Sequence, residues 1–219
     1  MPHQVGETGA ARHERAPTVI IVDDDAMVRA AMDSLFRSIG LQTLLFDSAQ
    51  SLLHYPLPVG PSCLVMDVRL PRMSGMEIQT RLAERGDQAP IIFITGHGDI
   101  AMSVRAMKAG AVDFLAKPFR DQDIIDAVEA ALERDRDRLA ADSALDEAGQ
   151  RHASLTRREA EVMALVVTGL MNKQIAGELG LSEITVKMHR GAMMRKMGVR
   201  TVADLVRLAE AVGRRGQSS

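Results

Sequence analysis

Four short apolar runs punctuate the first half of the chain: Thr18–Val22, Ser62–Met66, Pro90–Ile94 and Ala111–Ala116. Helical patterns separate them. Near-continuous apolar runs of this length predict parallel strands buried on both faces, with the intervening helices covering the sheet. Each run is followed at once by a polar residue: Asp23 and Asp24, Asp67, Thr95 and Lys117. Parallel strands point the same way, so residues just past their C-terminal ends meet at one edge of the sheet, where open α/β sheets place their sites. Groups far apart in sequence are thus expected to converge.

The pattern changes after the last strand. A helix starting near Asp121 carries Ile124, Ile125, Val128 and Leu132 on one face, then runs into the charged stretch Glu133–Arg138. That stretch reads as a solvated helical face, with Glu133/Arg136 and Asp135/Arg138 at i,i+3 spacing. Gly149 is expected to end the helix. Four short helices follow. Thr156 and Glu159 form a capping box. Asn172 is expected to cap a second helix, Lys173 to Leu179, closed by Gly180. Ser182 caps a third, Glu183 to Met197, with Val186, Met193 and Met197 on its buried stripe and Gly198 at its end. Thr201 caps the last, with Leu205 and Leu208 inside. A helix, a short glycine-containing turn and a basic second helix form the helix-turn-helix pattern.

At 219 residues, the length suits two ordinary domains. The expected division is a disordered tail over 1–16, an α/β unit over 17–131, a helical linker over 132–152, a helical unit over 153–212 and a tail over 213–219. The net charge of −2 hides an asymmetry. Residues 17–131 carry 10 Lys/Arg against 15 Asp/Glu, whereas residues 151–219 carry 12 against 6. An acidic front half and a basic back half suit a metal-binding unit joined to a polyanion-binding one. The single cysteine, Cys63, sits in an apolar run, which excludes an internal disulfide and a cysteine-based zinc site. No stretch reaches the roughly 18 apolar residues of a membrane helix. The polar start lacks a secretory signal pattern, so a cytoplasmic protein without membrane partners is expected.

The chemistry of the converging residues is restricted. Crowded carboxylates repel, and a hard cation such as Mg²⁺ relieves them through one or two carboxylates, waters and phosphate oxygens. A lysine and a threonine alongside suit phosphoryl oxygens. An aspartate can itself become phosphorylated. The cluster reads as a phosphoryl-accepting site.

Val22-Asp23-Asp24-Asp25, Met66-Asp67-Val68-Arg69-Leu70-Pro71 with Met73-Ser74-Gly75, Ile94-Thr95-Gly96 and Ala116-Lys117-Pro118-Phe119 resemble the receiver domain of bacterial response regulators over roughly residues 17–131. Each motif alone is weak. All four in order, each at a strand end, are specific. The resemblance implies a five-stranded parallel, doubly wound sheet of the flavodoxin/CheY-like kind. It also implies Asp67 as phosphoacceptor, and Asp23, Asp24, Asp67 and the Arg69 backbone carbonyl as Mg²⁺ ligands. Thr95 and Lys117 would contact the phosphoryl group, and Phe114 matches the family's aromatic switch position. Met73 and Met76 read as packing residues and Gly75 as a turn residue.

Residues 154–210 resemble the LuxR-type helix-turn-helix domain. The matching segments are Leu155–Glu159, Gly169–Ala176, Leu181–His189 and Arg195–Gly198. Together the two halves resemble the FixJ/NarL class of response regulators. The resemblance implies base-facing positions at Lys187, Met188 and Gly191, where Gly191 departs from members with a basic residue. Lys173, Arg190 and Lys196 are further expected at phosphates. It implies a sensor histidine kinase as phosphoryl source, promoter DNA as target, a homodimer on phosphorylation and RNA polymerase as a candidate partner. There is no aromatic residue between 151 and 219, which argues against recognition by base stacking. An aspartate-nucleophile phosphohydrolase is a rival, but such enzymes commonly carry a second Asp where this chain has Arg69, so no enzyme is expected. A receiver acting through protein contact alone is the other rival, and the basic back half argues against it.

Overall fold

The structure is a computed structural model that describes residues 16–96 and 100–216. Of the expected tails, 1–15 and 217–219 lie outside the described residues. The chain divides into two compact units, Met1–Leu139 and Ala140–Ser219.

The first unit is built on five parallel strands: β1 Thr18–Val22, β2 Gln42–Phe46, β3 Ser62–Asp67, β4 Ile91–Thr95 and β5 Asp113–Ala116, in the order β2-β1-β3-β4-β5. Its helices are α1 Ala26–Ser38, α2 Ala49–Leu53, α3 Gly75–Glu84, α4 Ile100–Lys108 and the first part of α5 Asp121–Ala153, which continues into the second unit. Side chains alternate across a strand, and that alternation sorts the apolar runs into two cores. Ile20, Val22, Leu64, Met66 and Phe93 share one cluster with Leu52 of α2, Ile78 and Leu82 of α3 and Ala106 of α4. Val19, Ile21, Cys63, Val65, Ile92 and Ile94 share the other with Met32 and Phe36 of α1 and Ile124, Val128 and Leu132 of α5. Both sheet faces are covered, as the continuous runs predicted. Cys63 is a core residue, and burial pushes its thiol far above the usual range.

β2 is the strand that no apolar run announced. It lies at the sheet edge, pairs with β1, and has no fully buried position, with Gln42 and Leu45 exposed and the other three half-buried. Near its end, Phe46 meets Tyr55 edge-on, with ring centroids 5.4 Å apart.

Two expectations about α5 fail. The helix passes through Gly149 to Ala153, because one glycine costs a helix only about 1 kcal/mol and its neighbour Ala148 is buried. The charged stretch is also not wholly solvated. Asp135 is 1% exposed. Its Oδ2 accepts from the Ser62 backbone N–H at 2.9 Å, and its Oδ1 accepts from Arg138 Nε at 2.9 Å. The first unit therefore extends past the expected boundary at 131, through Leu132 and Asp135.

The second unit contains α6 Arg157–Val167, α7 Asn172–Leu179, α8 Glu183–Met197 and α9 Val202–Gly216. Val162, Val166, Ile175, Val186, Met193, Met197 and Leu205 form its core. The Thr156–Glu159 capping box is present, Ser182 caps α8, and Thr201 accepts from the Asp204 N–H at the start of α9. Gly180 and Gly198 close α7 and α8 in left-handed conformation, at φ 64° and 71°, a region glycine enters without steric cost. Asn172 is not a cap: α7 begins with it, and Met171 precedes the helix with its N–H donated to Gln174 Oε1. The tail expected from 213 is helical as far as Gly216.

Candidate functional site

β1 and β3 are neighbours at the centre of the sheet, and the chain departs from them in opposite directions across it. This is the topological switch point, where a crevice opens beyond the strand ends. Asp23 follows β1, and its N–H still bonds to the Phe46 carbonyl at 3.2 Å, so the residue is fixed and buried. Asp67 is the last residue of β3. Thr95 ends β4 and is fully buried. Its carbonyl accepts from the Lys117 N–H at 2.8 Å, which ties the segment after β5 to β4.

Lys117 reaches across this edge. Its Nζ lies 2.6 Å from Asp23 Oδ2 and 2.8 Å from Asp67 Oδ2. Burial alone would lower the pKa of this ammonium. Its hydrogen bonds to the two carboxylates, and their charges, outweigh that and raise it above the ordinary lysine value. Asp67 Oδ1 accepts from the Arg69 N–H at 2.8 Å. One ammonium faces two carboxylates, leaving these three largely buried side chains with net negative charge. A further cation, not foreseen from the sequence, stands nearby: Arg29 of α1 donates to the Asp23 carbonyl at 2.6 Å. Its spacing from Asp23 fits no recognisable pattern.

The acidic triplet splits into separate roles. Asp23 is buried in the site. Asp25 caps α1 by accepting from the Met27 and Val28 N–H groups. Asp24 between them is exposed. Among the described residues, no three His, Cys, Asp or Glu side chains form a group that could hold a metal. Mg²⁺ does not require three, since it is commonly held by one or two carboxylates together with waters and phosphate oxygens. The hard oxygen donors of Asp23 and Asp67 fit it.

Gly75 has a different task from the one expected. It opens α3 and donates its N–H to the Val68 carbonyl. A Cβ there would lie 2.8 Å from the Asp67 carbonyl oxygen and 2.9 Å from Phe93 Cε1. The loop behind Asp67 packs too closely for any side chain. Phe114 pairs with Phe93 across β5 and β4 and is half-buried against the first core.

In the second unit, α8 turns Val186, Met193 and Met197 inward, while Lys187 and Met188 are exposed on the opposite side with Gly191 partly so. Lys173, in the first turn of α7, is exposed. Arg190 donates to Asn172 Oδ1 at 2.8 Å, joining α8 to the start of α7. Lys196 does not stand free for a phosphate. Its Nζ lies 2.6 Å from the nearly buried Glu159 carboxylate and 3.3 Å from the Ser154 carbonyl. It is a partly solvent-exposed strut between α8 and the capping box of α6.

That strut carries a pH dependence. The Lys196 hydrogen bond, followed by the Thr156 backbone N–H, holds the Glu159 carboxyl below its ordinary value against the opposing effect of burial. A group depressed in the folded state stabilises it above the unfolded pKa, and the contribution is lost as pH falls through the folded one. Amide-exchange protection factors in α6 and α8, each referred to the intrinsic rate at the same pH, should therefore fall on acidification below the ordinary glutamate range. In Lys196→Met they should already be lower at neutral pH, with less further loss in acid. Identical acid profiles for the two proteins would count against the strut.

With this geometry in place, the likenesses to known proteins become interpretable. The family model for the response regulator receiver domain matches residues 19–129, and the model for bacterial regulatory proteins of the luxR family matches residues 153–209. Nodulation protein W of Bradyrhizobium diazoefficiens is 53% identical over 208 residues, covering 94% of this chain and 92% of the relative. Transcriptional regulatory protein FixJ of Azorhizobium caulinodans is 42% identical over 195 residues, covering 89% and 92%. Among solved structures, the response regulator StyR matches with a TM-score of 0.78 at 50% identity, covering 89% of this chain and 98% of that one.

Proposed function

The chain belongs to the bacterial response regulators that join a receiver domain to a LuxR-family regulatory domain, and from that premise we propose that it is a DNA-binding transcriptional regulator switched by phosphorylation of Asp67. The observation that carries this reading is Lys117 held between Asp23 and Asp67 at the crevice edge, in a chain that also carries an outward basic helix. An Asp67 carboxylate oxygen attacks the phosphorus of a donor. The P–N bond of a kinase phosphohistidine, or the P–O bond of acetyl phosphate, breaks, and its electron pair leaves with the donor. The product is an acyl phosphate on Asp67. Lys117 neutralises charge on the incoming phosphoryl oxygens, and the Thr95 hydroxyl is placed at the same edge to donate to them. Asp23, Asp24, Asp67 and the Arg69 carbonyl would hold Mg²⁺. When bound, that ion offsets the charge that builds up as phosphoryl oxygens approach the carboxylates.

The acyl phosphate competes for Lys117 and Thr95, and Phe114 lies on the strand leading into Lys117. A local charge event of this kind biases a two-state element, and the outcome we assign is dimerisation. Paired helical units then place α8 in successive major grooves, with its early residues at base edges. A sensor histidine kinase and promoter DNA are the partners, and both place the protein in the cytoplasm. RNA polymerase is the remaining candidate partner. No helix among the described residues is long and apolar enough to cross a membrane.

The test uses the full chain with and without acetyl phosphate and Mg²⁺. Duplex affinity should fall as salt rises, because neutralised phosphates release counterions. Phosphorylation should raise both sedimentation mass and affinity. Lys187→Ala should cost about 1–3 kcal/mol, concentrated at one base position. Arg190→Ala should weaken binding evenly across sequences, since phosphates carry no sequence information. A phosphorylated protein that stays monomeric and binds no better would remove the switch.

A further inference from the structure

Two large apolar side chains on α8 serve no purpose inside the fold. Ile184 is 76% exposed and Met188 is 66% exposed. They stand at i and i+4, on one face and one turn apart, and that face is opposite the buried Val186, Met193 and Met197. Local structure does not call for them either. The first turn of a helix favours acidic and capping residues, and a β-branched side chain there loses χ1 freedom. Single exposed apolar residues are ordinary on protein surfaces. A pair sharing the outward face of a helix, with Lys187 between them and Lys173 and Arg190 on the same small basic unit, needs an occupant that is both anionic and apolar in places.

The major groove of duplex DNA is such a surface. It is bordered by phosphates, and its one protruding apolar group is the thymine 5-methyl. Residues 151–219 hold no Phe, Tyr or Trp, so base stacking is not open to this unit and methyl contact is its apolar route to sequence. We infer that Ile184 and Met188 form a strip that reads thymine methyl groups, and that the half-site carries thymines facing them. The inference rests on the duplex-binding reading above. It adds Ile184, which the sequence did not single out, and assigns Met188 a chemistry. Four residues of helix rise roughly 6 Å, against ~3.4 Å per base step. The two methyls should therefore lie one or two base pairs apart.

Uracil is thymine without the methyl, with the same hydrogen-bonding edge. A duplex would be recovered by repeated selection from a random pool on the full-length protein, then resynthesised with uracil replacing each thymine singly. Wild type should lose roughly three- to tenfold in affinity at one or two of these positions. Ile184→Ala and Met188→Ala should bind the thymine duplex more weakly by a similar factor, each losing the thymine–uracil distinction at one position. Equal binding of every uracil duplex by wild type would overturn the inference while leaving DNA binding intact. So would variants that keep the distinction, or Ile184→Ala and Met188→Ala binding the thymine duplex as wild type does, which would hand the strip to a protein partner. Failure to recover any duplex would remove the DNA reading, and this inference with it.

Discussion

Asp67→Asn protein, incubated with acetyl phosphate and Mg²⁺, should stay at its unmodified mass, whereas wild type should gain one phosphoryl group. The substitution keeps the shape of the side chain, so the loss is chemical. A carboxylate oxygen is a competent nucleophile and a carboxamide is not. The geometry sharpens the expectation. Asp67 Oδ2 faces the Lys117 ammonium at 2.8 Å, and its other oxygen is oriented by the Arg69 N–H. Two neighbouring carboxylates are poorly placed to take over: Asp23 is 1% exposed, and Asp25 is committed to the cap of α1. Full labelling of Asp67→Asn would move the acceptor elsewhere and undo the assignment of this edge.

Asp135→Ala should lower the stability of the first unit by about 2–4 kcal/mol, as removal of one partner from a buried, charge-assisted contact does. The Ser62 N–H would be left buried without an acceptor, and Arg138 would lose its ion pair with Asp135. Arg138 is partly exposed, which keeps the expected loss below that of a fully enclosed pair. Asp135→Asn retains an acceptor for Ser62 and should cost about 1 kcal/mol. Denaturant unfolding of the three proteins checks the ranking. An Asp135→Ala protein as stable as wild type would mean that the contact does not hold α5 to the start of β3.

The strands that could be read from sequence are those buried on both faces, because burial alone dictates an unbroken apolar run. β2 escapes that reading, since an edge strand with Gln42 and Leu45 exposed carries only a broken alternation. The site was legible for a related reason. Asp23, Asp67, Thr95 and Lys117 each end or follow a strand, and parallel topology turns that sequence position into spatial proximity. What could not be read is which charges find partners far along the chain. Asp135 sits in a run of alternating charges and is distinguished only by a backbone N–H 73 residues away. Lys196 resembles any basic residue of a reading helix until Glu159 is found beneath it, 37 residues earlier. Gly75 resembled a turn glycine, whereas the constraint on it is the Asp67 carbonyl and the Phe93 ring. Periodicity encodes which face is buried. It does not encode which ion pair closes over a particular N–H.

The edge-on contact between Phe46 and Tyr55 has a practical side. Tyr55 is the only tyrosine, and the chain has no tryptophan. Tyrosine emission is therefore not drained by transfer to an indole, and all of it originates in the first unit. The Phe46 carbonyl bonds to the N–H of Asp23, so this fluorophore sits one strand away from the edge where Asp23, Asp67 and Lys117 meet. Its signal follows the melting of the acidic unit alone, while far-ultraviolet dichroism weighs the helices of both. The unlabelled protein thus carries an optical reporter that can separate the unfolding of its two halves.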